Sequence, residues 1–152
     1  MPPDGAVTPD ATGRLRIALA SGGSTWLLSS RDSGGALRTR PVTVWWDPAD
    51  LDAPAPVVHV LTGADGRKAA DLEREPEVTV SGPVPGGWFA AGGRTQVVRD
   101  PAAVVSALRR IAPRVPAQGV AVLRITLLEA RRWSVASDRP FDNSVEQLLG
   151  AG

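Results

Sequence analysis

Turn-forming residues recur so closely along this chain that only short ordered runs fit between them. They cluster at Ser21 to Ser24, Asp32 to Gly35, Asp47-Pro48, Ala53 to Pro56, Gly63 to Gly66, Pro76 and Gly82 to Gly87. Most of the intervening runs are rich in Val, Thr and Trp, side chains that suit a pleated, half-buried surface. Six strands are expected: Trp26 to Leu28, Leu37 to Trp46, Val57 to Thr62, Glu77 to Ser81, Trp88 to Val98 and Val120 to Trp133. The first two, and the fourth and fifth, read as hairpins. Gly92-Gly93 inside the fifth marks a bulge or a close backbone approach.

Two runs have helical spacing instead. One opens at Arg67, carries Ala69, Ala70 and Leu72, and is stopped near Glu75 by Pro76. The other has Asp100 as N-cap, Pro101 at the first helical position and Val104, Val105, Leu108 and Ile111 on one face, and ends before Pro113. Leu15 to Ala20 fits a short helix or a strand. Short strands with hairpin connections and two or three helices indicate a mainly β fold, an antiparallel sheet curled into a small barrel so that its edges are covered. The βαβ alternation and the Gly-x-Gly-x-x-Gly spacing of a dinucleotide-binding sheet are missing.

At 152 residues and 43% hydrophobic, the chain suits one domain with a core large enough to need no staple. That domain is expected over residues 14–137, after a loose Pro- and Gly-rich lead-in at 1–13 and before a tail at 138–152 in which Val145, Leu148 and Leu149 give a weak apolar face. The absence of cysteine excludes thiolate metal sites, thiol catalysis and disulfides, and the single histidine, His59, excludes multi-histidine metal centres. A formal charge of +1 with no long run of like charge argues against a nucleic-acid partner. Apolar stretches are too short to span a bilayer and no secretory pattern opens the chain, so a cytoplasmic protein is expected.

Two segments carry the candidate chemistry. Leu61-Thr62-Gly63-Ala64-Asp65-Gly66-Arg67-Lys68 is a strand end that passes through a glycine turn into a helix start. Helix starts favour acidic side chains, so paired cations there make sense chiefly if an anion docks on them and on the free first-turn N–H groups. Lys68 is the only lysine in a chain that otherwise uses arginine. The competing reading is a solvated helix start in which Arg67 and Lys68 pair with Asp71 and Glu75. The second segment, Leu37-Arg38-Thr39-Arg40-Pro41-Val42, places proline inside a strand, which marks an edge, a bulge or a place where a ligand replaces a neighbouring strand. A charged, proline-blunted edge facing solvent is the alternative.

In order, the Arg-Thr-Arg-Pro-Val strand, the Val-His-Val-Leu-Thr strand, the Gly-Arg-Lys helix start, Asp-Leu-Glu-Arg-Glu-Pro-Glu-Val and Gly-Trp-x5-Arg-Thr-Gln-Val resemble the FMN-binding split β-barrel proteins. The likeness is to their pyridoxamine 5'-phosphate oxidase-like, general-stress-protein branch, and covers about Trp26 to Val135. It implies a six-stranded antiparallel split barrel, a homodimer with FMN at its interface, and a flavin-dependent oxidoreductase acting on a small molecule. Arg67 and Lys68 inherit the phosphate role. Arg38, Thr39, Arg40, Pro41 and Val42 match the strand against the flavin ring, and Leu61 and Thr62 the strand leading to the phosphate turn. Trp133 matches the family's carboxy-terminal aromatic position. Val42 stands where the family often has methionine, and Ser134 follows Trp133 where Asp is frequent. The grip of true pyridoxamine-phosphate oxidases on their substrate phosphate has no counterpart, so vitamin B6 synthesis is not implied. Alternatives are a reductase of the same superfamily using the deazaflavin F420, or a flavin-binding protein without turnover.

Other residues read more plainly. His59, in an apolar strand with no second ligand, is expected to be packed, and Trp26 to be core. Trp45, Trp46 and Trp88 fill core or interface, or wall a flat ligand. Ser21 to Ser24 lacks a nucleophile elbow. No catalytic residue and no metal ligand is assigned.

Overall fold

Asp32 shapes the first hairpin. Its carboxylate accepts from the backbone N–H groups of Gly34 (2.9 Å) and Ala36 (3.0 Å) and from Arg38 Nε (2.8 Å). Gly35 takes φ 82°, a left-handed conformation open to glycine without steric cost. This turn joins β1 (Thr25–Arg31) to β2 (Leu37–Thr43), paired along their whole length. A second hairpin joins β4 (Glu77–Val84) to β5 (Gly87–Val98), and β5 pairs in turn with β6 (Val120–Ser134). The computed structural model describes residues 11–21, 25–52, 54–134 and 145–150. Residues 1–10 of the expected lead-in lie outside them, while residues 11–13 already belong to a helix.

β6 organises the sheet because both of its edges are used. β5 covers one edge; on the other, β3 (Val57–Gly63) pairs with its first half and β7 (Val145–Leu149) with its second. The order is β2-β1-β4-β5-β6-β3, all antiparallel, with β7 added beside β6. A mainly β fold was expected with six strands, and the described residues form seven. The extra one comes from the segment read as tail: beyond the end of β3, β6 has an open edge whose N–H and C=O groups need partners, and β7 supplies them.

Among the described residues four helices pack on this sheet: α1 (Ala11–Ser21), α2 (Pro48–Leu51), α3 (Arg67–Arg74) and α4 (Pro101–Ile111). Leu15 to Ala20 is therefore helical. Asp100 caps α4 by accepting from Ala103 N at 3.0 Å. Asp47-Pro48, expected only to end the second strand, opens the short α2 with the same Asp-Pro device, Asp47 accepting from Ala49 N at 2.9 Å. No helix among the described residues is long and apolar enough to cross a membrane.

The barrel interior is filled by alternate residues of the strands, among them Leu28, Val80, Leu123 and Ile125, with Trp26 and Phe89 edge to face at 5.4 Å and 71°. Leu15 and Leu19 of α1 and Leu148 of β7 belong to the same core. A smaller cluster lies under α4, where Val104, Leu108 and Ile111 meet Val122. At Gly92/Gly93 the β5–β6 register shifts, and a Cβ on Gly93 would lie 2.7 Å from the Thr126 carbonyl oxygen. The expected bulge and the close approach are both present.

β2 and β3 end the sheet, so closing the barrel requires these two to meet. They do so at one bridge, between Trp45 and His59, through N–H···O bonds of 2.8 and 2.7 Å in the two directions. Beyond that bridge the strands separate, and the barrel is split.

Candidate functional site

The split forms a crevice of about 290 Å³ lined by Pro41, Val42 and Thr43 of β2, then Trp45, Leu61 of β3 and Lys68 of α3. Pro41 fits here because β2 is a terminal strand, where a missing N–H costs no ladder bond. Val42 is buried, whereas Pro41 and Thr43 face the other way and are exposed.

At one end of the crevice β3 turns into α3. Gly66 N donates to Gly63 O at 3.1 Å and Ala64 N to Gly119 O at 2.9 Å, which fixes the turn. Gly66 is the N-cap, and a Cβ there would approach Gly63 O to 3.2 Å. The helix start therefore has no capping side chain, and no acid lies in its first turn. Its opening N–H groups are left to donate to an outside anion.

Lys68 is half-buried. Burial holds its ammonium below the usual lysine range, and the nearby Arg40 guanidinium lowers it further. Among the described residues, no carboxylate comes within ion-pair distance of Arg40, Arg67 or Lys68. The acids of α3 are engaged elsewhere: Asp71 with Arg74 at 3.0 Å and Glu73 with Arg99 at 2.7 Å. Arg99 also donates to the carbonyl of Ala64 and so braces the same turn. The alternative in which Arg67 and Lys68 pair with Asp71 and Glu75 is not what the structure contains.

Of the residues expected to bind a cofactor, the fold gathers Pro41, Val42, Leu61 and Lys68 on the crevice, with Arg40 near enough to Lys68 to repel it. Arg67 is exposed at the start of α3, and Thr62 lies beside the turn, its Oγ1 4.0 Å from a Cβ built on Gly66. Three residues stand apart. Arg38 turns back to Asp32. Thr39, two residues before Pro41 and further along β2 from the crevice, shares a hydrogen bond with Ser29 of β1, Oγ to Oγ1 at 2.9 Å. Trp133 pairs with Trp88 and Val145 near the far end of β6, roughly 35 Å along the strand from Val122, the partner of Leu61, at about 3.3 Å per residue. Thr43 and Trp45 line the crevice without having been assigned to it. Their signal was alternation, since both continue the Pro41 face at every second residue.

Arg40 and Lys68 together present two unneutralised cations beside a slot bounded by strand backbone, aliphatic side chains and an indole. Such a site takes a planar group in the slot and a phosphate-like anion at its end. The donor set fits the phosphate of a flavin nucleotide.

No family model matches the sequence, and no curated protein matches it. Solved structures do. General stress protein 26 of Bacillus anthracis matches with a TM-score of 0.60 at 14% identity, over 90% of this chain and 97% of that one. A pyridoxamine 5'-phosphate oxidase-related, FMN-binding protein of Nostoc punctiforme matches with a TM-score of 0.57 at 12% identity, over 97% of each chain. A protein described as an F420 reductase matches with a TM-score of 0.54 at 15% identity, over 74% of this chain and 92% of that one. The chain thus has the split-barrel fold found in proteins related to pyridoxamine 5'-phosphate oxidase, the group its motifs resemble.

Proposed function

We propose that the crevice holds the flavin nucleotide FMN and that the protein is an oxidoreductase passing hydride or electrons between a reduced nicotinamide and a small acceptor. The observation that carries this reading is the convergence of Arg40 and a half-buried Lys68, both without acidic partners among the described residues, at the mouth of a slot between two open sheet edges. When bound, the flavin supplies the redox chemistry, and the chain supplies position and charge. Lys68, Arg67 and the first-turn N–H groups of α3 hold the phosphate. Pro41, Val42 and Thr43 offer the β2 edge to the ring, and Leu61 and Trp45 keep water from one side of it. A phosphate beside Lys68 returns its pKa towards the ordinary range by offsetting burial and Arg40.

One chain leaves the crevice open to solvent, and Trp133 is too far away to reach it. A homodimer resolves both points: the second copy covers the opening and brings its own outer face, which carries Trp88 and Trp133, toward the ring.

The test is flavin affinity. Arg67→Ala combined with Lys68→Ala is expected to weaken FMN binding by several kcal/mol, since charge-assisted hydrogen bonds contribute about 1.5–3 kcal/mol each. A double variant that still purifies yellow with unchanged affinity overturns the reading. The F420 reductase among the structural matches gives a second cofactor a specific basis. The absorbance spectrum of the purified protein separates the two, because the deazaflavin band lies at shorter wavelength. If flavin binds and neither NADH nor NADPH bleaches it under anaerobic conditions, the protein binds flavin without turnover.

A further inference from the structure

We propose that the pocket between α4 and the β3–β6 pair is a binding site for a small carboxylic acid. It encloses about 220 Å³, and its lining includes His59 of β3, Arg124 of β6, Ser106 and Arg110 of α4, and the aliphatic walls Val98 and Ala107. At about 30 Å³ per water it has room for roughly seven waters. It shares no lining residue with the crevice beside Lys68, and it does not depend on the flavin reading.

His59 is the buried polar group in the pocket's lining. Its side chain is 1% exposed, yet Nδ1 has no hydrogen-bond partner. The nearest carboxylate oxygen, Asp50 Oδ2, lies 4.0 Å away, beyond hydrogen-bond reach. Asp50 is engaged with Arg110 at 3.1 Å, and Asp47 approaches the same guanidinium at 3.5 Å. Arg110 is therefore neutralised from the α2 side. Arg124, in register with His59, has no carboxylate within ion-pair distance among the described residues. The pocket thus offers one uncompensated positive charge, a hydroxyl and a buried imidazole against aliphatic walls. That combination suits a ligand with a single anionic end and an apolar body better than a phosphate, whose second charge would find no partner.

Every group facing His59 bears on its protonation. Asp50 of α2 favours the imidazolium, Arg110 of α4 and Arg124 of β6 oppose it, and the Trp45 main-chain carbonyl favours it; burial, the largest influence, opposes it. An anion beside Arg124 offsets the one guanidinium left uncompensated, so a bound acid favours a proton on His59.

His59 is the chain's only histidine, so its imidazole NMR signal is unambiguous. The experiment titrates the full-length protein with sodium benzoate, against sodium chloride and sodium phosphate at equal ionic strength, and repeats the benzoate series between pH 5.5 and 7.5. The expected result is a saturable benzoate shift of the imidazole signal with a raised apparent pKa. Binding should weaken about tenfold or more in Arg124→Gln, the loss of one charge-assisted hydrogen bond. Ala107→Leu, which fills the pocket, should abolish the shift. A benzoate shift no larger than that from chloride or phosphate overturns the proposal, as does unchanged benzoate binding in Arg124→Gln. The wild-type and Arg124→Gln titrations decide the matter even if Ala107→Leu does not fold.

Discussion

At Gly82 a single hydrogen separates the β4 backbone from the Trp26 ring; a Cβ there would lie 2.5 Å from Cε3. Gly82→Ala is expected to destabilise the fold by about 1–3 kcal/mol, the usual cost of overpacking a filled core. A urea midpoint equal to wild type would mean that the indole has room to slide. Its place in the sequence suggests the start of a turn, but β4 runs on to Val84 and only Pro85-Gly86 turn. Local pattern marks glycine as a breaker and cannot name the ring that a distant strand brings against it. His59 gives a pH prediction. Burial lowers its folded-state pKa below the ordinary 6.5, so in that range the unfolded chain binds a proton that the folded chain does not. Stability is then complete above about pH 6.5 and falls as the pH drops from there towards the depressed folded value. Chemical denaturation between pH 7.5 and 5.5 in a carboxylate-free buffer should show this slope, and His59→Gln should flatten it. An identical slope in the variant would assign the effect to other groups. Lys68 was the most legible of the crevice-lining residues, because paired cations at a helix start conflict with the dipole; the place of Arg38 was not legible, because its Asp32 partner is set by the geometry of the hairpin turn.

Elements were legible where a short-range rule applied. The Asp100-Pro101 cap, the α3 start and both hairpins follow from spacing within a few residues. The same rule was available at Asp47-Pro48 and there announced a helix of a single turn, which has too little periodicity to reveal itself otherwise. β7 could not be read this way. Val145, Leu148 and Leu149 form no alternating pattern, and the segment is a strand only because β6 offers an edge. Leu148 is nevertheless 1% exposed and belongs to the main core with Leu15 and Leu19 of α1. Leu148→Ala should therefore cost about 2–5 kcal/mol, the range for truncating a buried leucine, and lower the thermal midpoint accordingly. A variant as stable as wild type would show that β7 adds little to the core.

For the whole molecule, the decisive feature is that the sheet closes at one bridge and then parts. A slot open on one side suits a second copy of the chain, and FMN affinity should then depend on assembly. Sedimentation monitored in the flavin band should place the colour on a dimer and show its release on dilution below the dimer's dissociation range. A monomer that holds FMN at full affinity would overturn the homodimer. Period-two alternation, turn chemistry and helix caps act over a few residues, so the sequence by itself determined the six main strands and the two longer capped helices, α3 and α4, and the need to hide sheet edges made a barrel the expected outcome. The cations at the end of one strand and the proline within another were visible in the same way. Only the tertiary structure decided that β2 and β3, the two ends of the sheet, lie side by side, that Arg40 comes near Lys68 while Arg38 turns away, and that His59 is buried beside Asp50. Those pairings join residues distant in the chain, and they arise from closing the sheet as a whole, a condition to which no local stretch of sequence responds.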